Sequence, residues 1–426
     1  MSKKKVLIIA YYWPPAGGPG VQRWLKFVKY LPEFNIEPIV FVPENPNYPL
    51  IDESLIAEIP TGITVIKQPI KEPYKLAGLF SKNKSKTISK GIITEKENQS
   101  FIEKLMLFIR GNFFIPDARK NWVSPSFEVI KVLLSKENIE SILTTGPPHS
   151  LHLIGLKLKQ ELDVNWIADF RDPWTTIGYH KQLKLLKSSA KKHKQLERQV
   201  LNTADKIIVT SFTTQKEFQN ITQKPIEVIT NGYDDEKTET TVLDSKFTIS
   251  HIGSLLSKRN PEVLWQVLRD LKKENESFSN DLQLNFVGLL SENVAHSLEN
   301  YSLSNCVNNL GYVSHNESIK FQKKSQLLLL IEINSEDTKC IIPGKLFEYM
   351  VAQRPIVAIG PKGWDVETIT TQTNTGTCFN YNDYDALKAT ILEYYKAYKN
   401  NDLTVQPIGL QKYHRKALTK QLTRLI

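Results

Sequence analysis

The stretch VLIIAYYWPPAGGPGVQRW (6–24) decides how the rest of the chain is read. Val6 to Trp13 are apolar without alternation, two prolines end the run, and Gly17, Gly18 and Gly20 precede a helical pattern starting near Val21. A strand that is apolar at every position is buried on both faces, as in a parallel sheet covered by helices. The run follows a basic start, MSKKK, but prolines stand where a secretory signal needs small residues, so a first strand is the better reading.

Similar runs recur along the chain with helical stretches between them. They are PIVFV (38–42), ITVI (63–66), SILTT (141–145), NWIAD (165–169), KIIVT (206–210) and IEVIT (226–230), then FTISHI (247–252), QLNFV (283–287), QLLLLIEI (326–333) and PIVAI (355–359). The polar segment NGYDDEKTETTVLDSK (231–246) parts the two series. The expected fold class is therefore α/β, with two doubly wound, Rossmann-like domains facing a cleft. They are expected at 1–230 and 247–405, joined by a linker at 231–246. The tail, 406–426, carries Leu410, Tyr413, Ala417, Leu418, Leu422 and Leu425 at helical spacing. It is read as an amphipathic helix returning to the first domain.

The 426 residues carry a net charge of +10, and three cysteines without CxxC spacing suit a reducing cytoplasm. A basic excess fits nucleic acid, an anionic membrane or a phosphorylated substrate. Its location is more telling: residues 67–120 carry +7 and residues 181–198 carry +6, so the remainder is slightly acidic. No zinc-finger, RRM or KH pattern accompanies these segments, which argues against nucleic acid. FIEKLMLFI (101–109) fits either a core helix or a helix lying in a bilayer interface. No run approaches the ~18 apolar residues of a spanning helix.

Several motifs follow strand ends, where open α/β sheets bind ligands. The Gly17–Gly20 loop before a helix is a candidate anion cradle, though it is neither GxGxxG nor a P-loop. TTGPPHS (144–150) presents His149, readable as a substrate hydrogen-bonding group or as a helix-start residue beside a Ser150 cap. ADFRDPW (168–174) gathers Asp169, Arg171 and Asp172, which fit a site or a structural Asp–Arg pair. Asp383 and Asp385 match DxD but precede a helix, so Asp383 reads as a cap rather than a metal ligand. HIGSLLSKRNPEV (251–263) is expected to place Lys258 and Arg259 at a helix N-terminus facing the cleft, where they suit a diphosphate. IIPGKLFEYM (341–350) puts Gly344 and Lys345 at a helix start and Glu348 one turn in, suited to a phosphate beside a sugar hydroxyl.

In order and spacing, these segments resemble a GT-B glycosyltransferase of family 4, and PPHS with DFRDPW resembles the branch serving bacterial surface polysaccharides. The likeness spans nearly the whole chain and includes NGYD, PGKLFEYM…RPIV and the NTG segment at 374–376. It implies a nucleotide diphosphate-sugar held mainly by the second domain and a saccharide or lipid-linked acceptor held by the first. By resemblance, Arg259 with neighbouring Lys258, together with Lys345, Leu346 and the amides after Gly344, meets the diphosphate. Gly253 and Ser254 form the adjoining loop, Glu348 binds the ribose, and the Gly311, Tyr312 and Val313 backbone meets the base. Ser254 stands where many relatives carry an arginine. Cys340 stands where the family's E-x7-E signature has its first glutamate, leaving Lys345 or the 341–344 backbone to substitute.

The resemblance further implies a retaining transfer without cofactor or metal, in cell-surface polysaccharide or glycan synthesis. Arg259, Lys345 and the Gly17–Gly20 loop would stabilise the leaving group, while His149, Asp169, Arg171 and Asp172 position the acceptor. The basic segments would dock on anionic lipid at the inner face of the cytoplasmic membrane. A nucleotide-sugar epimerase of the same fold is the alternative enzyme. A non-catalytic basic protein binding membrane or nucleic acid is the alternative of another class.

Overall fold

Apolar runs without alternation fold as strands with no solvent face. The computed structural model describes residues 3–72, 101–235 and 241–426, and within these the chain forms two compact units. Unit 1 comprises Met1–Asn231 with Arg415–Ile426, and unit 2 comprises Gly232–His414.

Unit 1 contains β1 (Lys4–Ile9), β2 (Ile36–Pro43), β3 (Thr64–Gln68), β4 (Ser141–Gly146), β5 (Asn165–Phe170), β6 (Lys206–Val209) and β7 (Ile226–Val228). They form one parallel sheet in the order β3-β2-β1-β4-β5-β6-β7. Its helices are α1 (Pro19–Tyr30), α2 (Phe101–Phe113), α3 (Val123–Glu137), α4 (Ser150–Glu161), α5 (Gly178–Lys181), α6 (Lys187–Thr203) and α7 (Phe212–Gln219). One face of the sheet builds a core around Trp122, Phe127, Trp166 and Phe170. The other packs Val21, Trp24 and Val28 of α1 with Leu418 and Leu422 of the last helix.

Unit 2 contains β8 (Phe247–Ile252), β9 (Leu282–Val287), β10 (Val307–Gly311), β11 (Leu327–Ile331), β12 (Ile356–Ile359) and β13 (Gly376–Phe379). The order β10-β9-β8-β11-β12-β13 repeats the arrangement of unit 1. Its helices are α8 (Glu262–Glu274), α9 (Glu276–Asp281), α10 (Glu292–Asn300), α11 (His315–Lys324), α12 (Lys345–Val351), α13 (Asp365–Thr373) and α14 (Tyr384–Lys399). The final helix, α15 (Arg415–Thr423), belongs to unit 1. It is shorter than the apolar spacing suggests, because Leu410–Tyr413 forms a separate 3₁₀ turn. In both sheets the strand order reverses beside the first strand, at β1/β4 and at β8/β11. The loops after those strands therefore diverge and leave a crevice at the carboxyl edge.

Asp169, at the end of β5, is fully buried and belongs to the framework of unit 1 rather than to a substrate surface. Its carboxylate pairs with Arg23 of α1 at 2.9 Å and accepts from Trp24 Nε1 at 2.9 Å and Thr145 Oγ1 at 2.8 Å. Arg23 also donates to the Thr230 carbonyl at 2.9 Å, so one ion pair ties α1 to β4, β5 and the end of the last strand segment. This corrects the expectation that Asp169 positions an acceptor: a carboxylate without solvent access needs these donors to remain charged.

Removing Arg23 leaves that carboxylate buried without its cation. Arg23→Ala is expected to destabilise unit 1 by about 3–5 kcal/mol, measured by urea unfolding followed through tryptophan fluorescence. A midpoint equal to that of the wild type would contradict the framework role.

Candidate functional site

The crevice of unit 2 collects two cations from different loops. Ser257–Arg259 is a 3₁₀ turn, and α8 starts three residues later at Glu262. Arg259 therefore stands before the helix rather than at its N-terminus, as the sequence suggested. Its guanidinium makes a two-pronged pair with Glu332, Nε to Oε1 at 3.0 Å and Nη2 to Oε2 at 3.1 Å. Glu332, just beyond β11, is fully buried and also accepts the Ile333 amide at 2.8 Å. A bidentate pair with one buried carboxylate fixes the plane of the guanidinium, while its remaining face stays about one-third exposed.

Lys345 opens α12 and turns its ammonium back toward β8. Nζ donates to the Ile252 carbonyl at 2.8 Å and lies 3.4 Å from His251 Nε2. Burial, reinforced by the field of Arg259, lowers its pKa to about 8 against the pull of Glu332 and Glu348. Gly253 adopts φ +110°, and a Cβ there would lie 3.0 Å from the Lys345 Nζ. The left-handed backbone and the room for the ammonium both favour glycine.

Other expected donor-side residues distribute unevenly. Glu348 accepts from Gln322 Nε2 at 2.9 Å and stays half-buried. Ser254, Lys258 and Tyr312 are exposed, Gly344 and Val313 are half-buried, and Gly311 takes φ +64° at the end of β10. Leu346 is a correction: its side chain is fully buried. The amides of Leu346 and Phe347 are committed to the Pro343 and Gly344 carbonyls at 3.0 and 3.2 Å. The Lys345 ammonium, rather than the Leu346 and Phe347 amides, is thus the feature α12 offers an anion. Cys340 is half-buried, with its thiol toward the Asp337 carbonyl at 3.7 Å.

The unit 1 crevice is different in kind. Arg171 packs so closely against Gly20 that a Cβ there would collide with Nη1, and it donates to the Pro147 and Gly146 carbonyls. The Gly-rich loop and the DFRDPW segment therefore meet. Gly18 caps α1 at φ +95°, whereas the Gly17 amide bonds the Leu50 carbonyl at 3.0 Å. His149 is buried, stacked on Trp174 at 4.9 Å and 3°, and neither ring nitrogen finds a protein partner. Burial, with the fields of His152 and Arg171, lowers its pKa well below the usual value and keeps it neutral. It lines a cavity of about 120 Å³ with Tyr12, Arg110, Asp117, Trp174 and Tyr179.

The start of α4 is capped not by Ser150 but by Asp117, which accepts from the Ser150 amide and hydroxyl, each at 2.8 Å. His149 is thereby free of a capping role. Asp172 hydrogen-bonds Tyr179, and burial raises its pKa. Asp383 stands at the N-cap of α14, but its carboxylate accepts from the Asn380 amide at 2.8 Å. Sequence reasoning passed over His251 and Glu332. Each is an ionisable residue within or just after a buried strand, and a buried ionisable residue at a strand end is the signal that finds them.

Residues 92–237 match the family model described as Glycosyltransferase Family 4. Residues 233–405 match that of Glycosyl transferases group 1. No curated protein matches the sequence. Among solved structures, sucrose-phosphate synthase from Thermosynechococcus elongatus is similar at 14% identity and TM-score 0.60, over 99% of this chain and 98% of that one. Anabaena HepE in complex with UDP-glucose is similar at 13% identity and TM-score 0.59, over 99% and 98%. A putative UDP-N-acetylglucosamine 2-epimerase from Listeria monocytogenes is similar at 12% identity and TM-score 0.55, over 99% and 95%. At such identities the likeness is one of fold.

The Lys345 pKa of about 8 gives unit 2 a pH signature. Its ammonium, the form that attracts an anion, is lost as pH rises through that value. Inorganic pyrophosphate affinity is expected to fall several-fold between about pH 7 and 9 in the wild type. Lys345→Arg, with its higher pKa, flattens the profile. Calorimetric titrations giving the same pH slope for both proteins would reject Lys345 as the anion's partner.

Proposed function

Because the chain is a family 4-like glycosyltransferase of the GT-B fold, we propose that it moves a sugar from a nucleotide diphosphate-sugar to a saccharide or lipid-linked acceptor. The observation that carries this reading is the pairing of Arg259 and Lys345 in the unit 2 crevice, each cation held by buried acceptors. Breaking the sugar–phosphate bond leaves an electron pair and growing negative charge on the diphosphate. Preorganised cations in a poorly hydrated site stabilise that charge without reorganising at the moment of reaction. In this reading Arg259 and Lys345 act on the leaving diphosphate, and the step is routed through no metal ion. Glu348 stands one helical turn beyond Lys345 and is assigned to a ribose hydroxyl.

The unit 1 cavity is proposed as the acceptor site. A neutral His149 with one free donor and one free acceptor suits a hydroxyl-bearing ring, and about 120 Å³ limits the bound portion to roughly one sugar residue. Transfer with retention, on a single face of the donor sugar, and a hexosyl donor are parts of the proposal. So is a place in surface-glycan synthesis. Docking on anionic lipid is included because α6 presents Lys187, Lys191, Lys194 and Arg198 as one exposed stripe. The basic stretch at 67–120 falls largely on residues 73–100, outside the described residues. In α2, Leu107 is buried while Leu105 and Phe113 are exposed. Among the described residues no helix is long and apolar enough to cross a membrane.

Thermal-shift screening of UDP-, GDP-, ADP- and dTDP-sugars should single out one nucleotide, since a ligand of the folded form raises its stability. With that donor, Arg259→Ala and Lys345→Ala are each expected to lower transfer about 10²–10³-fold. Activity of both variants within threefold of the wild type would overturn the assignment. Product analysis without acceptor distinguishes an epimerase, which would convert the sugar while it remains nucleotide-bound.

Flotation with liposomes tests the docking face separately. Binding is expected to vesicles containing phosphatidylserine and to weaken when Lys187, Lys191 and Lys194 are replaced by Gln. Equal binding to neutral vesicles would reject this part of the proposal.

A further inference from the structure

His251 occupies the penultimate position of β8, on the strand bordering the unit 2 crevice, and is 1% exposed. Its two ring nitrogens face different partners. Nδ1 lies 2.9 Å from the Leu329 carbonyl on β11, and a carbonyl only accepts, so Nδ1 carries the proton. In the neutral ring Nε2 then holds a lone pair, and that lone pair is 3.4 Å from Lys345 Nζ. The Ile252 carbonyl is the second acceptor of the ammonium at 2.8 Å, and Tyr349 secures the same residue by accepting the Ile252 amide at 2.9 Å. Two acceptors fixed on β8 thus engage two of the three ammonium hydrogens.

We infer that His251 is a positioning residue for the transfer reaction: pinned through Nδ1–H to Leu329, it uses Nε2 to fix the Lys345 ammonium and aim its remaining N–H at the departing diphosphate. The inference rests on the reading of unit 2 as the donor site. Burial and the fields of Lys345 and Arg259 disfavour a charged imidazole and outweigh the opposing pull of the Leu329 and Ser254 backbone, so the ring stays neutral; with Nδ1 protonated, Nε2 keeps its lone pair. A histidine serving the core alone would need its Leu329 bond but would have no need of Nε2 directed at a cation.

Three variants separate these roles. His251→Asn retains a side-chain amide N–H near the Nδ1 position but lacks the acceptor at Nε2. His251→Gln extends its amide oxygen toward the Nε2 position. Lys345→Ala removes the cation itself. With inorganic pyrophosphate as the probe in calorimetry, His251→Asn is expected to weaken binding about tenfold, while His251→Gln returns to within threefold of the wild type. Lys345→Ala weakens it at least as much as His251→Asn. If Lys345→Ala weakens binding but His251→Asn does not, the positioning role is wrong and the donor site stands. If Lys345→Ala itself binds like the wild type, the donor-site reading fails first. Equal losses in both His251 variants, tracking a lowered Tm, would make His251 a core residue only and overturn the inference. The wild-type protein gives an independent test through ¹⁵N-histidine NMR: unprotonated Nε2 is expected, and a proton on Nε2 would contradict the proposal whether or not any variant folds.

Discussion

The lodging of one ammonium ion organises the unit 2 crevice. A lysine brought this far from water disfavours its charge, which lowers the Lys345 pKa to about 8 and makes its fixed acceptors necessary. The Ile252 carbonyl and His251 Nε2 supply them, and both sit at the end of β8. Gly253 then suits its place, because its φ of +110° disfavours a side chain and a Cβ would crowd Nζ at 3.0 Å. Arg259 has acceptors of its own, since Glu332 just beyond β11 holds it by two hydrogen bonds. Two like charges therefore share a crevice without either one wandering, an arrangement useful chiefly if an anion arrives between them.

The two units repeat one strand order but use its crevice differently. Unit 2 holds two fixed cations near the strand ends, whereas unit 1 lines its cavity with aromatic rings and a neutral imidazole beside Arg110 and Asp117. The acidic group that the sequence offered there, Asp169, is turned away from solvent to bind Arg23, Trp24 and Thr145. The division suits the proposed transfer: a leaving diphosphate needs cations, while a hydroxyl-bearing acceptor needs shape and a weakly basic partner. Among the described residues, part of the basic excess lies on the exposed α6 stripe rather than on the groups named in either crevice.

The central strands were plain in the sequence because burial on both faces leaves unbroken runs such as PIVFV and QLLLLI. The edge strands β10 and β13 left weaker traces. VNNLG and GTCF are short and partly exposed, so neither burial nor alternation marks them strongly. Arg259 and Lys345 were legible as cations beside helix starts. Their holders were not, since His251 and Glu332 lie 94 and 73 residues from the groups they bind. The same blindness misplaced Asp169, whose partner Arg23 is 146 residues away. Leu346 was misassigned for a local reason: periodicity locates a helix start, but not which of its first residues points into the core.

The most direct test of the account is diffraction from crystals of the protein soaked with the nucleoside diphosphate that stabilises it most. Diphosphate oxygens are expected within hydrogen-bonding distance of both Lys345 Nζ and the Arg259 guanidinium, with His251 Nε2 still on the ammonium. A diphosphate bound elsewhere, or one held while Lys345 remains directed only at β8, would contradict it.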